Sequence, residues 1–408
     1  MFSVQNRQAR DSALRRRRIW GKFRNSVWCF TMIYKSIFVK HMLALCGQEN
    51  FTLLVDEEAT VWATGINKTG QLGLGDNLDR NTFTKVPGLP PIAYVSCSSL
   101  LSLFLDEQGQ IWEYGITDST NKTLMLLPGL PKIASMACGE GHSLFQAADG
   151  SVWGKGSNSS FQLGLPQGDE PISAALQLER LPPIIRVSCG LKHSTFLDNT
   201  GCVWMCGSVQ YKTKSLFTIE RPTKFIILPK ITRIASGAGH SLFLDELGSV
   251  WGVGINSFGQ LGTNNSKPAC EPQKMSGLFS PIASIACGAN HSILLDADGK
   301  VYSCGRNHCG QLGLGSTVQK VSATRIELIP KIRAIVCGSQ SNGSVFVDED
   351  NRLWACGDDS LGQLGNARKR YVVKYRFKPR LFLKPKKLKL KNIHLRVHHV
   401  TVSINHEQ

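Results

Sequence analysis

Short apolar runs recur along this chain at a long, steady interval. Each run is followed by a polar turn and then a second run carrying an apolar–aromatic pair. The pairs are Val61-Trp62, Ile111-Trp112, Val152-Trp153, Val203-Trp204, Val250-Trp251, Val301-Tyr302 and Leu353-Trp354. They are 50, 41, 51, 47, 51 and 52 residues apart. Five residues ahead of the pair stands Asp56, Asp106, Asp198, Asp245, Asp296 or Asp348, with Ala147 in the third copy. Gly109, Gly150, Gly201, Gly248 and Gly299 stand two residues ahead. Asp-x-x-Gly between apolar runs is turn chemistry: the carboxylate takes nearby amides and glycine reaches left-handed backbone angles. Every copy is therefore predicted to fold as strand, tight turn, strand.

Further features keep the same register. Cys-Gly stands upstream at Cys46, Cys138, Cys189, Cys287 and Cys337, with Cys97-Ser98 and Ser236-Gly237 as variants. His-Ser follows in four copies, at His142, His193, His240 and His291. Downstream comes Gly-Gln-Leu-Gly at 70–73, 259–262, 310–313 and 362–365, or Phe-Gln-Leu-Gly at 161–164; copies two and four lack it. Hairpins repeating at so long a period indicate a propeller, because a parallel solenoid would use shorter coils without hairpins. The expectation is an all-β, seven-bladed β-propeller over residues 41–365, with extensions at 1–40 and 366–408.

The string Cys-Gly-Ala-Asn-His-Ser-Ile-Leu-Leu-Asp-Ala-Asp-Gly-Lys-Val-Tyr-Ser-Cys-Gly-Arg-Asn-His-Cys-Gly-Gln-Leu-Gly-Leu-Gly, residues 287–315, closely resembles the regulator of chromosome condensation repeat. The likeness extends over about residues 41–365 and implies the same seven-bladed fold. It also implies an interaction module, sometimes for small GTPases or ubiquitin-pathway partners. The founder of the family exchanges guanine nucleotide on a Ran-type GTPase while held to chromatin by a basic N-terminal arm. It uses a wedge-like insertion from one blade. Copy three here, Cys138 to Cys189, has no sizeable insertion, and no exchange residue carries over.

Charge sharpens this picture at the two ends. The net charge is +17, but residues 1–40 carry +9 and residues 366–408 carry +12, which leaves the middle at −4. Attraction to polyanions is therefore expected from the extensions. Arg15, Arg16, Arg17 and Arg18, followed by Ile19, Trp20 and Phe23, suit phosphate contacts with stacking, a nuclear import signal, or a solvated arm. Lys384, Lys386, Lys387, Lys389 and Lys391 also resemble an import signal. The most apolar stretch, Val27 to Cys46, holds Lys35, Lys40 and His41 and does not read as a membrane span.

The tempting chemistry is mostly absorbed by the repeat. Of thirteen cysteines, six stand at the Cys-Gly position and Cys206, Cys304 and Cys356 stand three residues after the start of their pair. These nine read as small buried thiols, since copies in different blades should be too far apart to bridge. Neither Cys304-His308-Cys309 nor Cys202-Cys206 has metal-site spacing. A histidine recurring once per blade reads as a buried imidazole hydrogen-bonded to neighbouring backbone. The repeated Asn67, Asn256, Asn307, Gln71, Gln162, Gln260, Gln311 and Gln363 read as ties between blades. No phosphate-binding loop and no nucleophile elbow is present. No cofactor, metal or catalytic residue is therefore expected.

The functional expectation is a monomeric, non-enzymatic scaffold of the cytoplasm or nucleus. It binds a protein partner, with a small GTPase or a chromatin-associated protein as candidates. The alternative is a guanine-nucleotide exchange factor for a Ran-type small GTPase. The ring also needs a last strand after Gly362–Gly365, and residues 371–390, alternating apolar and basic, are expected to supply it with the basic face exposed.

Overall fold

The computed structural model describes residues 42–43, 45–47, 51–56, 58–98, 101–115, 124–168, 170–211, 214–327, 329–350, 352–363, 375–383, 394–397 and 400–401. All belong to one compact unit, Lys40–Gln408. They form seven four-stranded antiparallel sheets, each continuous in sequence. Blade 1 spans 45–85, blade 2 92–126, blade 3 133–177, blade 4 184–224, blade 5 231–274, blade 6 282–325 and blade 7 332–383. The first strands of successive blades lie beside one another, so they line the axis of a ring and the fourth strands form its rim. The chain is an all-β, seven-bladed propeller.

The Val-Trp pair and its aspartate prove to be one device. Asp245 Oδ1 accepts from the amides of Leu247 and Ser249 across its turn, and Oδ2 accepts from Trp251 Nε1 at 3.1 Å. Asp56, Asp106, Asp198 and Asp348 hold Trp62, Trp112, Trp204 and Trp354 in the same way at 2.7–2.9 Å. Tyr302 substitutes its hydroxyl, 3.3 Å from Asp296. In blade 3, where Ala147 replaces the aspartate, Trp153 turns to Ser151 Oγ at 3.3 Å. Trp251→Phe strands Asp245 Oδ2 and is expected to lower stability by about 1–3 kcal/mol. Trp251→Tyr, which copies blade 6, should lose less; urea midpoints of the two variants check the order.

The histidines join blades, though not as expected. Their Nε2 atoms meet a hydroxyl of the following blade rather than nearby backbone. His142 reaches Ser194 at 3.0 Å, His193 reaches Ser241 at 2.9 Å, His240 reaches Ser292 at 3.1 Å and His291 reaches Ser344 at 2.9 Å. Three of these serines then donate back to the blade that carries the histidine, Ser194 to Gln162 O, Ser292 to Gln260 O and Ser344 to Gln311 O, at 2.6–2.8 Å. With the serine proton committed, Nε2 must be the protonated nitrogen. The Cys-Gly glycine is the floor beneath the ring: a Cβ on Gly288 would stand 2.0 Å from His291 Cε1.

The Gln side chains were expected to tie blades together, but mostly the backbone does so. Gln71 and Asn67 side chains brace their own loop, Gln71 Oε1 taking Thr69 N at 3.0 Å and Asn67 Oδ1 taking Leu72 N at 2.9 Å. The interblade tie is the Gln carbonyl, which accepts a hydroxyl from the next blade. Ser102 donates to Gln71 O at 2.6 Å. Thr52 donates to Gln363 O at 2.7 Å and so joins blade 1 to blade 7. The apolar seam closes there too: Leu54, with Trp62 and Phe83, packs into the cluster built from blades 6 and 7.

The cysteine expectation needs one correction. Cys138, Cys189, Cys206, Cys287, Cys304, Cys337 and Cys356 are buried thiols, and burial pushes Cys304 and Cys337 up to about 12. Cys97, however, is disulfide-bonded. The inner strands approach closely: Cys189 Sγ lies 3.6 Å from Ala137 O of the preceding blade.

Blade 7 takes its outer strand from Tyr375–Leu383, antiparallel to Leu353–Asp358. A small separate sheet pairs Met42–Leu43 in parallel with His394–Leu395 and adds Val400–Thr401. No helix among the described residues is long and apolar enough to cross a membrane.

Candidate functional site

Because strands alternate in direction, the ring has two different faces. One carries the Cys-Gly loops and the Gly-Gln-Leu-Gly loops. The other carries the Asp-x-x-Gly turns and the connections from each blade to the next.

The first face is occupied by its own framework. Its Cys-Gly loops are linked blade to blade by backbone bonds: Glu140 N to Leu191 O, Leu191 N to Ala238 O, Ala238 N to Ala289 O and Ala289 N to Ser341 O, at 2.9–3.4 Å. Asn158, Asn256 and Asn307 each bind carbonyls within their own loop. Blade 4, which lacks Gly-Gln-Leu-Gly, instead prolongs its third and fourth strands into a hairpin, Val203–Tyr211 and Lys214–Lys224. Cys309 Sγ lies 3.1 Å from His308 Nε2. No group of three or more His, Cys, Asp or Glu suited to a metal ion exists among the described residues.

The second face is different. Across blades 4 to 6, four large apolar side chains stand in solvent: Ile226 is 89% exposed, Ile227 57%, Leu247 79% and Phe279 94%. Two backbone bonds place them in one strip. Glu246 N donates to Lys230 O at 3.2 Å, which sets the blade 5 turn against the connection holding Ile226 and Ile227. Ile282 N donates to Gly248 O at 2.9 Å, which sets the other side of that turn against the connection holding Phe279. A Cβ on Gly248 would stand 2.6 Å from Pro281 Cβ, so the fit is tight. The Lys230–Glu246 ion pair, 3.1 Å, borders the strip. Folded chains rarely leave such residues grouped in water unless something covers them.

The strip went unremarked in the sequence, although the repeat itself marks it. The third turn residue is polar in the other six copies, Glu58, Gln108, Asp149, Thr200, Asp298 and Asp350, and Leu247 only in the fifth. Connections elsewhere read Leu-Pro or Ile-Pro, as at Leu130-Pro131, Leu181-Pro182 and Ile329-Pro330; the fifth reads Leu278-Phe279. The signal was a break in the repeat's own pattern. Arg15, Arg16, Arg17, Arg18, Lys384, Lys386, Lys387, Lys389 and Lys391 lie outside the described residues, as do the side chains that would form the basic face of the closing strand.

Comparison with known proteins agrees with the ring. The profile of the RCC1-like domain matches residues 117–406, and that of the regulator of chromosome condensation (RCC1) repeat matches residues 58–105. The dog X-linked retinitis pigmentosa GTPase regulator is 37% identical over 123 residues, 28% of this chain and 11% of that protein. The mouse secretion-regulating guanine nucleotide exchange factor is 33% identical over 116 residues, 28% of this chain and 25% of that protein. The match thus spans a quarter or less of each of these two relatives. Among solved structures, Prp20p of Saccharomyces cerevisiae superposes with a TM-score of 0.70 at 23% identity, covering 85% of this chain and 88% of that one.

Proposed function

We propose, from the premise that this chain belongs to the family of RCC1-like propellers, that it is a non-enzymatic scaffold. It docks a small GTPase on the face that carries Ile226, Ile227, Leu247 and Phe279. The observation that carries the reading is the apolar strip itself. It departs from the repeat at Leu247 and Phe279, and the repeat's aspartates and the histidine Nε2 atoms are already engaged in the ring. The choice of partner follows the relatives, one of them named a GTPase regulator and another a guanine nucleotide exchange factor. Proteins built on this ring are in the main regulators rather than catalysts. Prp20p was studied for its binding to Gsp1p and to histones, which keeps a chromatin-associated partner in view for the basic extensions. Cytoplasm or nucleus is the compartment this reading implies.

A minority of interface residues, clustered at the centre, carry most of the binding energy and cost more than about 1 kcal/mol each when truncated. In a panel of purified small GTPases, at least one is expected to bind the full chain. Leu247→Asp with Phe279→Ser should weaken that binding about tenfold or more, while thermal unfolding stays unchanged. If no panel member binds, or if the double variant binds as the parent does, this docking reading fails. Exchange activity is the second reading, favoured by the prolonged hairpin of blade 4, which no other blade has among the described residues. It requires accelerated release of bound fluorescent nucleotide from a panel member.

A further inference from the structure

Each blade is built from one unbroken stretch of chain, so no blade is shared between the two ends of the ring. Among the described residues, one strand pairing joins those ends. Met42–Leu43 pairs in parallel with His394–Leu395, and His394–Val397 turns back antiparallel into Val400–Thr401. The sequence suits strands here: Leu395, Val397, Val400 and Val402 are apolar, and three of them are β-branched.

The register fixes where this small sheet lies. Inner strands enter the ring from the second face, because the connections between blades are there. Met42 and Leu43 stand just ahead of Leu45–Gly47, the inner strand of blade 1, and so mark the second-face end of the axis. Arg396 follows Leu395, the partner of Leu43, and Thr401 pairs with Arg396. Val400–Thr401 is therefore at the same end. There it comes within 8 Å, Cα to Cα, of the inner strands of blades 5 and 6, Ile231–Ser236 and Ile282–Cys287. The segment thus crosses the axis from blade 1 to blades 5 and 6.

These two strands are the ones into which the apolar strip leads. Ile226 and Ile227 lie on the connection that ends at Ile231, and Phe279 lies on the connection that ends at Ile282. Leu247 is set against the latter by the Gly248–Ile282 bond. The segment therefore stands at the inner border of the strip. Its hold there is slight: strands of two, four and two residues make few backbone bonds, and so small a sheet has little stability of its own. Such elements open before the blades do. Yet the segment stays within reach, because residues 384–393 tie it to Tyr375–Leu383, the outer strand of blade 7. A tether that short keeps its effective concentration on the order of millimolar.

We propose that residues 394–401 are an autoinhibitory strap: held by Met42–Leu43, they close the inner border of the strip at blades 5 and 6, and a docking GTPase displaces them. The inference rests on the docking reading above and names its regulation. The closed strap lowers the partner's affinity, and by linkage the docked partner opens the strap.

Three proteins test it: the full chain, a chain ending at residue 393, and the full chain carrying Leu395→Pro. The truncation keeps all seven blades with Tyr375–Leu383 in place. The proline keeps length and charge but fixes φ and removes an amide from the small sheet. Hydrogen exchange reads the position of the strap. An inner strand is paired on one side only, so alternate amides point at the axis and are protected only by what covers them. In both altered proteins such amides of Ile231–Ser236 and Ile282–Cys287 should exchange at least tenfold faster. The blade 3 hairpin, His142–Gly156, should match the parent, which shows the ring intact. Binding to the GTPase panel reads the inhibition. A member that binds the full chain should bind both altered proteins at least fivefold tighter, and Leu247→Asp with Phe279→Ser should weaken all three. Unchanged exchange would overturn the strap. Faster exchange with equal or weaker binding would leave a structural clasp and overturn the inhibition. Binding by the altered proteins alone would support the strap while refuting the expected docking to the full chain. No binding by any of the three would end the docking reading and the inhibitory role with it.

Discussion

Acidified from pH 7 to pH 4.5, the protein is expected to lose most of its stability. His142, His240 and His291 are completely enclosed, and burial pulls each from 6.5 down to about 3. The hydrogen-bond relay explains the direction. Nε2 gives its proton to the serine of the next blade, while Nδ1 lies over the Cys-Gly glycine with no partner among the described residues. A second proton on Nδ1 would be buried with nothing to accept it. In the unfolded chain these imidazoles protonate near 6.5, so below that pH the unfolded state binds more protons than the folded state. Stability is full above about pH 6.5 and falls continuously as the pH drops toward 3. Each histidine contributes a slope of about 1.4 kcal/mol per pH unit. Three together remove on the order of 8 kcal/mol by pH 4.5, comparable with the whole stability of a typical domain.

Urea midpoints measured between pH 7.5 and 4.5 test this directly, and a flat profile would refute it. His240→Asn with His291→Asn separates the cause from general acid sensitivity. Asparagine retains a donor for Ser292 and Ser344 but cannot titrate. The double variant should start lower at pH 7 and fall with a slope shallower by about two protons. The depressed carboxylates of Asp198 and Asp348, held down by their Thr200, Trp204, Trp354 and Arg352 partners against burial, add their loss only below about pH 4.

The relay also shows what could be read from the chain alone. Periodicity located every blade, because a pattern repeated seven times is insensitive to any one substitution. It also assigned the cysteines, histidines, Asn and Gln to the scaffold. It could not show that the His bond crosses to the next blade, because Ser194 lies 52 residues from His142 and only the ring brings them together. Nor could it show that the Gln carbonyl rather than the Gln amide forms the tie, since every residue has a carbonyl. Repeats reveal what copies share. The exposed strip lies where copies differ: Leu247 against six polar residues and Phe279 against proline. Such differences have no meaning until the ring places them side by side.

Removal of residues 366–408 is expected to lower the unfolding midpoint by at least about 5 °C. Those residues include Tyr375–Leu383, the outer strand of blade 7. Every other blade draws its fourth strand from the stretch just after its third; blade 7 must reach past residues 364–374 to find one. Without it, Leu353–Asp358 becomes an open edge with unpaired amides and carbonyls, which costs stability and invites association with other chains. Pro379 is buried beneath blade 6, where a Cβ on Gly313 would stand 3.0 Å from its Cγ, so the truncation also uncovers that contact. The Thr52–Gln363 bond survives, because Gln363 is retained. The ring should therefore still close at its inner edge, and the loss should be partial rather than complete. At roughly 2–4 °C per kcal/mol for chains of 150–250 residues, and less for longer ones, a 5 °C fall corresponds to a couple of kcal/mol or more. A synthetic peptide of residues 371–390 added to the truncated protein should recover part of the midpoint and suppress association. Replacing Lys384, Lys386, Lys387, Lys389 and Lys391 with Gln in the full chain should leave it unchanged, which separates the strand from the charge that follows it. An unaltered midpoint in the truncated chain would mean that blade 7 stands on three strands and that the tail is not part of the fold.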